Sequence, residues 1–153
     1  ERADARAAAS MFSRELFFPH VKAKDKSSLL DMMCSEMAKA GVAQSQLRDS
    51  VELREDAAAT CFGNNVAMPH PMEPMSNETR VAVALLDNPM SWDEWGHYVQ
   101  AVFLVSYAHG ARDGDEVFSL LADLFTDERS ISNLIDEQTF ECLLKEFGNG
   151  SQK

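Results

Sequence analysis

The residues with the most direct chemical potential stand together in Ala67-Met68-Pro69-His70-Pro71. A residue that precedes proline is pushed out of the helical region, so Met68 and His70 are both biased to extended geometry. Pro71 has no N–H and a fixed φ, which stiffens the chain beyond the imidazole. A stiff, extended backbone at a strand end presents one ring at low entropic cost. Neutral imidazole, with an ordinary pKa of about 6.5, is a competent nucleophile near neutral pH. The spacing by itself fits two readings: a presented nucleophile, and a loop histidine beside two turn-forming prolines. Just upstream, Gly63-Asn64-Asn65 can turn the chain and offer backbone N–H groups to an anion.

Other chemistries find less support. His70, His97 and His109 show no HxH, HxxxH or HExxH spacing, which disfavours a metal hydrolase. His20 and His97 read as surface residues. Cys34, Cys61 and Cys142 are odd in number, far apart and without a CxxC, against both a disulfide framework and a zinc cluster. No metal is expected, and the free thiols fit a reducing compartment. The net charge of −11 comes from 14 Lys plus Arg against 25 Asp plus Glu. Such a chain repels nucleic-acid phosphates, and its densest basic stretch, Lys22, Lys24 and Lys26, is interrupted by Asp25. No direct nucleic-acid contact is therefore expected. No apolar run approaches the length that crosses a bilayer, and no signal-peptide pattern opens the chain. A cytoplasmic protein without membrane insertion is the expectation.

The elements that must position His70 are legible from periodicity. Lys26 to Ala40 reads as an amphipathic helix with Leu29, Met33 and Met37 inward and Gly41 as its stop. Gln44 to Arg54 reads as a shorter helix, with Leu47 and Val51 inward. Ala57 to Asn65 loses periodicity, and Val66 to Met68 is a short strand closed by Pro69. Arg80 to Leu86 and Val99 to Tyr107 are apolar runs of strands buried on both faces. Trp92 and Trp95 lie between them and read as packing aromatics. The last third is helical over Asp115 to Phe125, Ser130 to Ile135 and Thr139 to Phe147. Strands alternating with amphipathic helices give an α/β fold, a single layered domain with a mixed central β-sheet flanked by α-helices. Its 153 residues suffice for one core. The expected organisation is a linker remnant at 1–10, the domain at 11–147 and a polar tail at 148–153, as in a module excised from a longer protein.

Val51-Glu52-Leu53-Arg54-Glu55, then Thr60, then Gly63-Asn64-Asn65-Val66-Ala67-Met68-Pro69-His70-Pro71 resembles the signature of the fructose/mannitol-type (type 2) enzyme IIA of the bacterial phosphotransferase system (PTS). The likeness extends in order and spacing over roughly 12–147, which implies the mannitol-type enzyme IIA fold. It implies His70 as the phosphoryl acceptor and Arg54 as the cation beside the phosphate. Without it, Arg54 reads equally well as an ion-pair partner of Glu52 or Glu55. Thr60, Gly63, Asn64 and Asn65 become the expected phosphate-binding set. Transport enzymes of this family usually carry a second histidine where this chain has Val117. His109, just past the strand end in Ala108-His109-Gly110, is the candidate replacement.

That departure, with the wording around His70, is more similar to a regulatory subgroup. There an enzyme IIA-like domain ends a transcriptional antiterminator or activator that also contains PTS regulation domains. The resemblance implies phosphorylation of His70 by the histidine phosphocarrier HPr, with no cofactor beyond the donated phosphoryl group. Two alternatives stand beside it: a transport component passing phosphate to enzyme IIB and sugar, and a protein-binding module that has lost the chemistry. Met72 and Met75 offer a soft apolar rim for a protein partner.

Overall fold

The computed structural model describes residues 10–109 and 111–151. Residues 1–9 of the expected linker and 152–153 of the expected tail lie outside the described residues. A 3-10 turn, Arg14–Leu16, leads into β1 (Phe17–Val21), α1 (Lys26–Lys39), α2 (Leu47–Ala57), β2 (Cys61–Phe62) and β3 (Val66–Ala67). The long hairpin of β4 (Arg80–Ser91) and β5 (Tyr98–Ser106) follows, then α3 (Ala111–Phe125), α4 (Glu128–Glu137) and α5 (Phe140–Ser151).

The strands form one sheet in the order β1-β4-β5-β3-β2. It is mixed: β1 runs parallel to β4 and β3 parallel to β5, while β4–β5 and β2–β3 are antiparallel. Side chains alternate across the central strands and build two cores. Val81, Val83 and Leu85 of β4 and Phe103 and Val105 of β5 pack with Leu121, Leu124, Leu134 and Leu143 from α3, α4 and α5. Ala82, Ala84, Val102 and Leu104 pack with Leu29, Met33, Leu47 and Val51 from α1 and α2. The architecture is thus α/β, with a mixed sheet covered by helices on both faces, as expected.

Some boundaries differ, each for a local reason. β1 was not anticipated because Pro19 interrupts it and His20 sits at φ 54°, a left-handed conformation where the pairing with β4 shifts register. β2 is too short to show a periodicity of its own. β4 runs past Leu86 through Pro89 to Ser91, where it pairs only with the start of β5. The last helix continues beyond Phe147 to Ser151, into the stretch expected as a polar tail.

Candidate functional site

His70 lies just beyond β3, and its flanks are tied to three elements. The Met68 N–H donates to Thr60 O (3.0 Å), and Val105 of β5 donates to Pro69 O (3.0 Å). On the other side, Met72 N–H donates to the Ser50 hydroxyl of α2 (2.9 Å), and Tyr107 Oη donates to Pro71 O (3.4 Å). These bonds supply the rigidity that the two prolines foreshadow. The half-buried imidazole places Nδ1 2.9 Å from Met68 O. A carbonyl only accepts, so Nδ1 carries the proton and Nε2 keeps its lone pair. Phe118 of α3 covers the ring, centroid to centroid 5.0 Å.

Burial is the main influence on His70 and pushes its pKa below 6.5. The Met68 carbonyl opposes the shift, Arg54 adds to it and Glu55 opposes it. The folded protein thus favours neutral imidazole, and stability from this group is lost as pH falls below about 6.5, where the unfolded chain takes up the proton. A nitrogen-15 NMR titration is expected to show the Nδ1–H tautomer and a midpoint under 6.5. A midpoint above that value contradicts this environment.

Arg54, half-buried in the last turn of α2, lies within electrostatic reach of His70, and its Nη1 donates to Ala58 O (2.7 Å). The ion-pair alternative fails on both partners. Glu52 pairs with Arg48 (3.5 Å), and Glu55 pairs with Lys26 (2.8 Å), leaving no carboxylate bridged to Arg54 among the described residues.

Glu55 is the residue whose importance the spacing understated. It is only 7% exposed. Its carboxylate accepts from Trp92 Nε1 (3.0 Å), from Thr60 N (3.3 Å) and from the Thr60 hydroxyl. Lys26 Nζ, its ion-pair partner, also lies 4.5 Å from the Trp92 ring centroid. The signal was present: Leu47, Ser50, Val51 and Glu55 are the buried residues of α2, at helical spacing.

The expected phosphate-binding set does not assemble around His70. Thr60 is buried, and both of its donors are spent on Glu55. Gly63, Asn64 and Asn65 form the β2–β3 turn, with Asn64 and Asn65 both at φ 66°. Asn65 O accepts from Gln100 N–H, whereas Pro69 O accepts from Val105 N–H. Those two β5 residues are five steps apart on a regular strand, about 16 Å. The turn therefore sits at the opposite end of β3 from the imidazole. Asn64 Nδ2 donates to Phe125 O (2.7 Å). The cleft beside it, about 430 Å³, is lined by Glu128 and Asp136, which oppose an anion.

His109 is exposed after β5 and makes no bond to His70 among the described residues. Val117 is 2% exposed and packs in the core that includes Met68 and Val105. Trp92 is a packing aromatic as expected, but Trp95 is 83% exposed. The reason is local: Asp93 accepts the N–H groups of both Trp95 and His97, Gly96 takes φ 85°, and the tight turn thrusts Trp95 outward. Met72 is exposed and Met75 half-buried against the α1–α2 core. No helix among the described residues is long and apolar enough to cross a membrane.

Comparisons with known proteins agree with this fold. The chain is 30% identical over 131 residues to a Bacillus subtilis (strain 168) protein named Probable licABCH operon regulator, covering 85% of this chain and 20% of that one. It thus spans about a fifth of that relative's length. It is 22% identical over 142 residues to the mannitol-specific phosphotransferase enzyme IIA component of Halalkalibacterium halodurans, covering 91% of this chain and 95% of that one. Among solved structures, enzyme IIAMTL in its complex with phosphorylated enzyme IIBMTL from Escherichia coli superposes with a TM-score of 0.80 at 17% identity, over 90% of this chain and 99% of that one. Nitrogen regulatory protein IIA-Ntr from Neisseria meningitidis gives 0.79 at 15% identity, over 92% and 99%. Residues 10–149 match the family described as phosphoenolpyruvate-dependent sugar phosphotransferase system, EIIA 2. The chain belongs to that family.

Proposed function

We propose that this domain accepts a phosphoryl group on Nε2 of His70 from phosphorylated HPr, and that it is the sugar-sensing module of a cytoplasmic transcriptional antiterminator or activator. The observation that carries the reading is the state of His70: its Nδ1 proton is held by Met68 O, its Nε2 keeps its lone pair, and it lies within electrostatic reach of Arg54, which is bridged to no carboxylate among the described residues. In the transfer, the Nε2 lone pair attacks phosphorus. The new N–P bond forms as the donor's N–P bond breaks, and that bond's electron pair returns to the donor imidazole. Such a reaction needs alignment and neutralisation of the equatorial oxygens more than covalent help, and it uses no cofactor. The Arg54 guanidinium supplies that charge as a preorganised fork.

The regulatory assignment rests on Val117 and on the operon-regulator relative. A buried valine stands where transport enzymes of the resembled type place a second histidine, and Phe118 covers the acceptor ring instead. Phosphate on His70 adds charge and acceptor oxygens that bias contacts with PTS regulation domains of the parent protein. The transport reading is favoured by one specific observation, the likeness to an enzyme IIA component over 95% of its length.

The test is incubation with phosphoenolpyruvate, enzyme I and HPr, followed by intact-mass analysis at alkaline pH. One added phosphate is expected. No gain, under conditions that label a known enzyme IIA, leaves a binding module without the chemistry. Adding enzyme IIB to the labelled protein separates the other two readings: rapid loss of the phosphate favours transport, retention favours regulation. Arg54→Ala is expected to slow labelling about 10²-fold. Its lost helix-end bond costs about 1 kcal/mol, so the domain stays folded. Unchanged labelling kinetics refute the role given to Arg54.

A further inference from the structure

Away from His70, three donor groups from two distant segments converge. They are Sγ of Cys61 in β2, a carboxylate oxygen of Asp93 and Nδ1 of His97, the last two in the β4–β5 turn. Their ligand atoms all lie within 4.8 Å of one another. Spacing rules could not reveal the cluster, because sheet pairing brings Cys61 to residues more than thirty positions away. The Cys61 thiol donates to Asp93 Oδ2 at 3.4 Å, and His97 Nδ1 lies 2.5 Å from the same oxygen. Two protons thus point at one carboxylate oxygen. The other oxygen, Oδ1, accepts the N–H groups of Trp95 (2.9 Å) and His97 (3.1 Å), which fix the carboxylate plane. Backbone support of that kind is what orients a ligating carboxylate. The Asp93 side chain is only 8% exposed, while the His97 side chain is 59% exposed and free to turn.

We infer that Cys61, Asp93 and His97 form a binding site for one divalent transition metal of the zinc class, with a fourth position open to solvent. The balance is simple. The cation replaces the thiol proton and takes the Nδ1 lone pair of the other imidazole tautomer, so one proton leaves to solvent. Thiolate and carboxylate then cancel its two charges. The donor set of one sulfur, one nitrogen and one oxygen suits zinc or cobalt, and it is wrong for magnesium and calcium, which take oxygen. Bonds of about 2.0–2.3 Å in a tetrahedron place ligand atoms roughly 3.3–3.7 Å apart. The Cys61–Asp93 separation already meets this, and the exposed imidazole has only to swing outward.

The ion would tie a two-residue edge strand to the hairpin turn. It would also sit one residue from both Thr60 and Trp92, the side chains that hold Glu55. Binding to the folded state alone raises stability by mass action. Cys34 and Cys142 are buried in the two cores, so thiol–metal signals report on Cys61.

The experiment uses reduced, chelator-stripped protein titrated first with Co2+ and then with Zn2+. One cobalt per chain is expected, with thiolate-to-metal charge-transfer absorption and tetrahedral d–d bands. One equivalent of Zn2+ should abolish both signals and raise Tm, and Mg2+ should do neither. His97→Gln, at an exposed position that leaves the fold intact, and Cys61→Ser are each expected to weaken zinc binding at least about tenfold, the effect that even outer-shell changes produce. The proposal is overturned by absence of the charge-transfer band at millimolar Co2+, by zinc binding that both variants leave unchanged, or by a Tm rise that Mg2+ reproduces.

Discussion

His70→Ala is expected to take up no phosphate from phosphorylated HPr, while its unfolding transition stays close to that of the parent protein. The two halves of this result have separate causes. The chemistry vanishes because the proposed acceptor is one ring, with its Nδ1 proton on Met68 O and its free Nε2, and Arg54 has no other imidazole to serve. Neither His20 nor His97 can stand in, since each has a carboxylate against its ring, Asp87 at 2.8 Å and Asp93 at 2.5 Å, whose negative charge opposes an incoming phosphoryl group. His109 is exposed, and no bond ties it to His70 or Arg54 among the described residues. The fold survives because the loop is held by its backbone. The bonds at Met68, Pro69 and Met72 do not involve the imidazole. Alanine forfeits one hydrogen bond and part of the contact with Phe118, about 1–2 kcal/mol together. For a domain of this size that is a fall in Tm of about 2–8 °C. Intact-mass analysis and a thermal melt read the two halves independently. A phosphate retained by the variant would move the acceptor elsewhere, and loss of the fold would make its missing phosphate uninformative.

The sequence exposed this site unevenly, and the reasons are physical. Prolines declare backbone geometry locally, so the presentation of His70 was readable from Pro69 and Pro71. The central strands were readable too, because Val81–Leu86 and Ala101–Val105 are buried on both faces and leave continuous apolar runs. Direction along a strand leaves no such mark. Gly63-Asn64-Asn65 is close to His70 in number, yet between them the chain runs along β5 from Gln100 to Val105. Nearness in sequence therefore misplaced the phosphate cradle. Partnership across a sheet is equally silent. Cys61 meets Asp93 and His97, and Glu55 meets Trp92, only because β2, β3 and the β4–β5 hairpin join one sheet. Thr60 shows the intermediate case, its polarity legible and its target hidden. A family signature marks such a residue without saying whether it touches ligand or, as here, a neighbouring carboxylate.

Glu55→Ala is expected to destabilise the domain by about 3 kcal/mol, within the range for breaking a buried pair by removal of one partner. Four donors from three segments converge on this carboxylate: Lys26 at the start of α1, Trp92 at the end of the hairpin arm, and the amide and hydroxyl of Thr60. Alanine leaves the buried indole N–H and both Thr60 donors without an acceptor, each such loss costing on the order of 1 kcal/mol or more. Lys26 moderates the total. Its side chain is 25% exposed and can turn to water, so its desolvation is partly recoverable and the upper end of the range is not reached. Glu55→Gln should recover part of the loss, because its oxygen can still accept from Trp92 and the Thr60 amide while its nitrogen donates to the Thr60 hydroxyl, but no charge remains for Lys26. Lys26→Met should cost less than either, since it keeps apolar contact with Trp92 and leaves the carboxylate three partners. The measurement is denaturant unfolding of all three variants, with the double variant closing a thermodynamic cycle. A loss below about 1 kcal/mol for Glu55→Ala would place this carboxylate among ordinary surface groups. The variant also separates stability from chemistry. At a temperature where it remains folded, Arg54 still stands one residue away on α2 and the Nδ1 bond of His70 is intact, so phosphate uptake should persist. Glu55 raises the pKa of His70, so its removal should move the imidazole titration further down. A folded Glu55→Ala protein that takes no phosphate would show that the carboxylate serves the transfer itself, by holding Arg54 or His70 in place, and not only the fold.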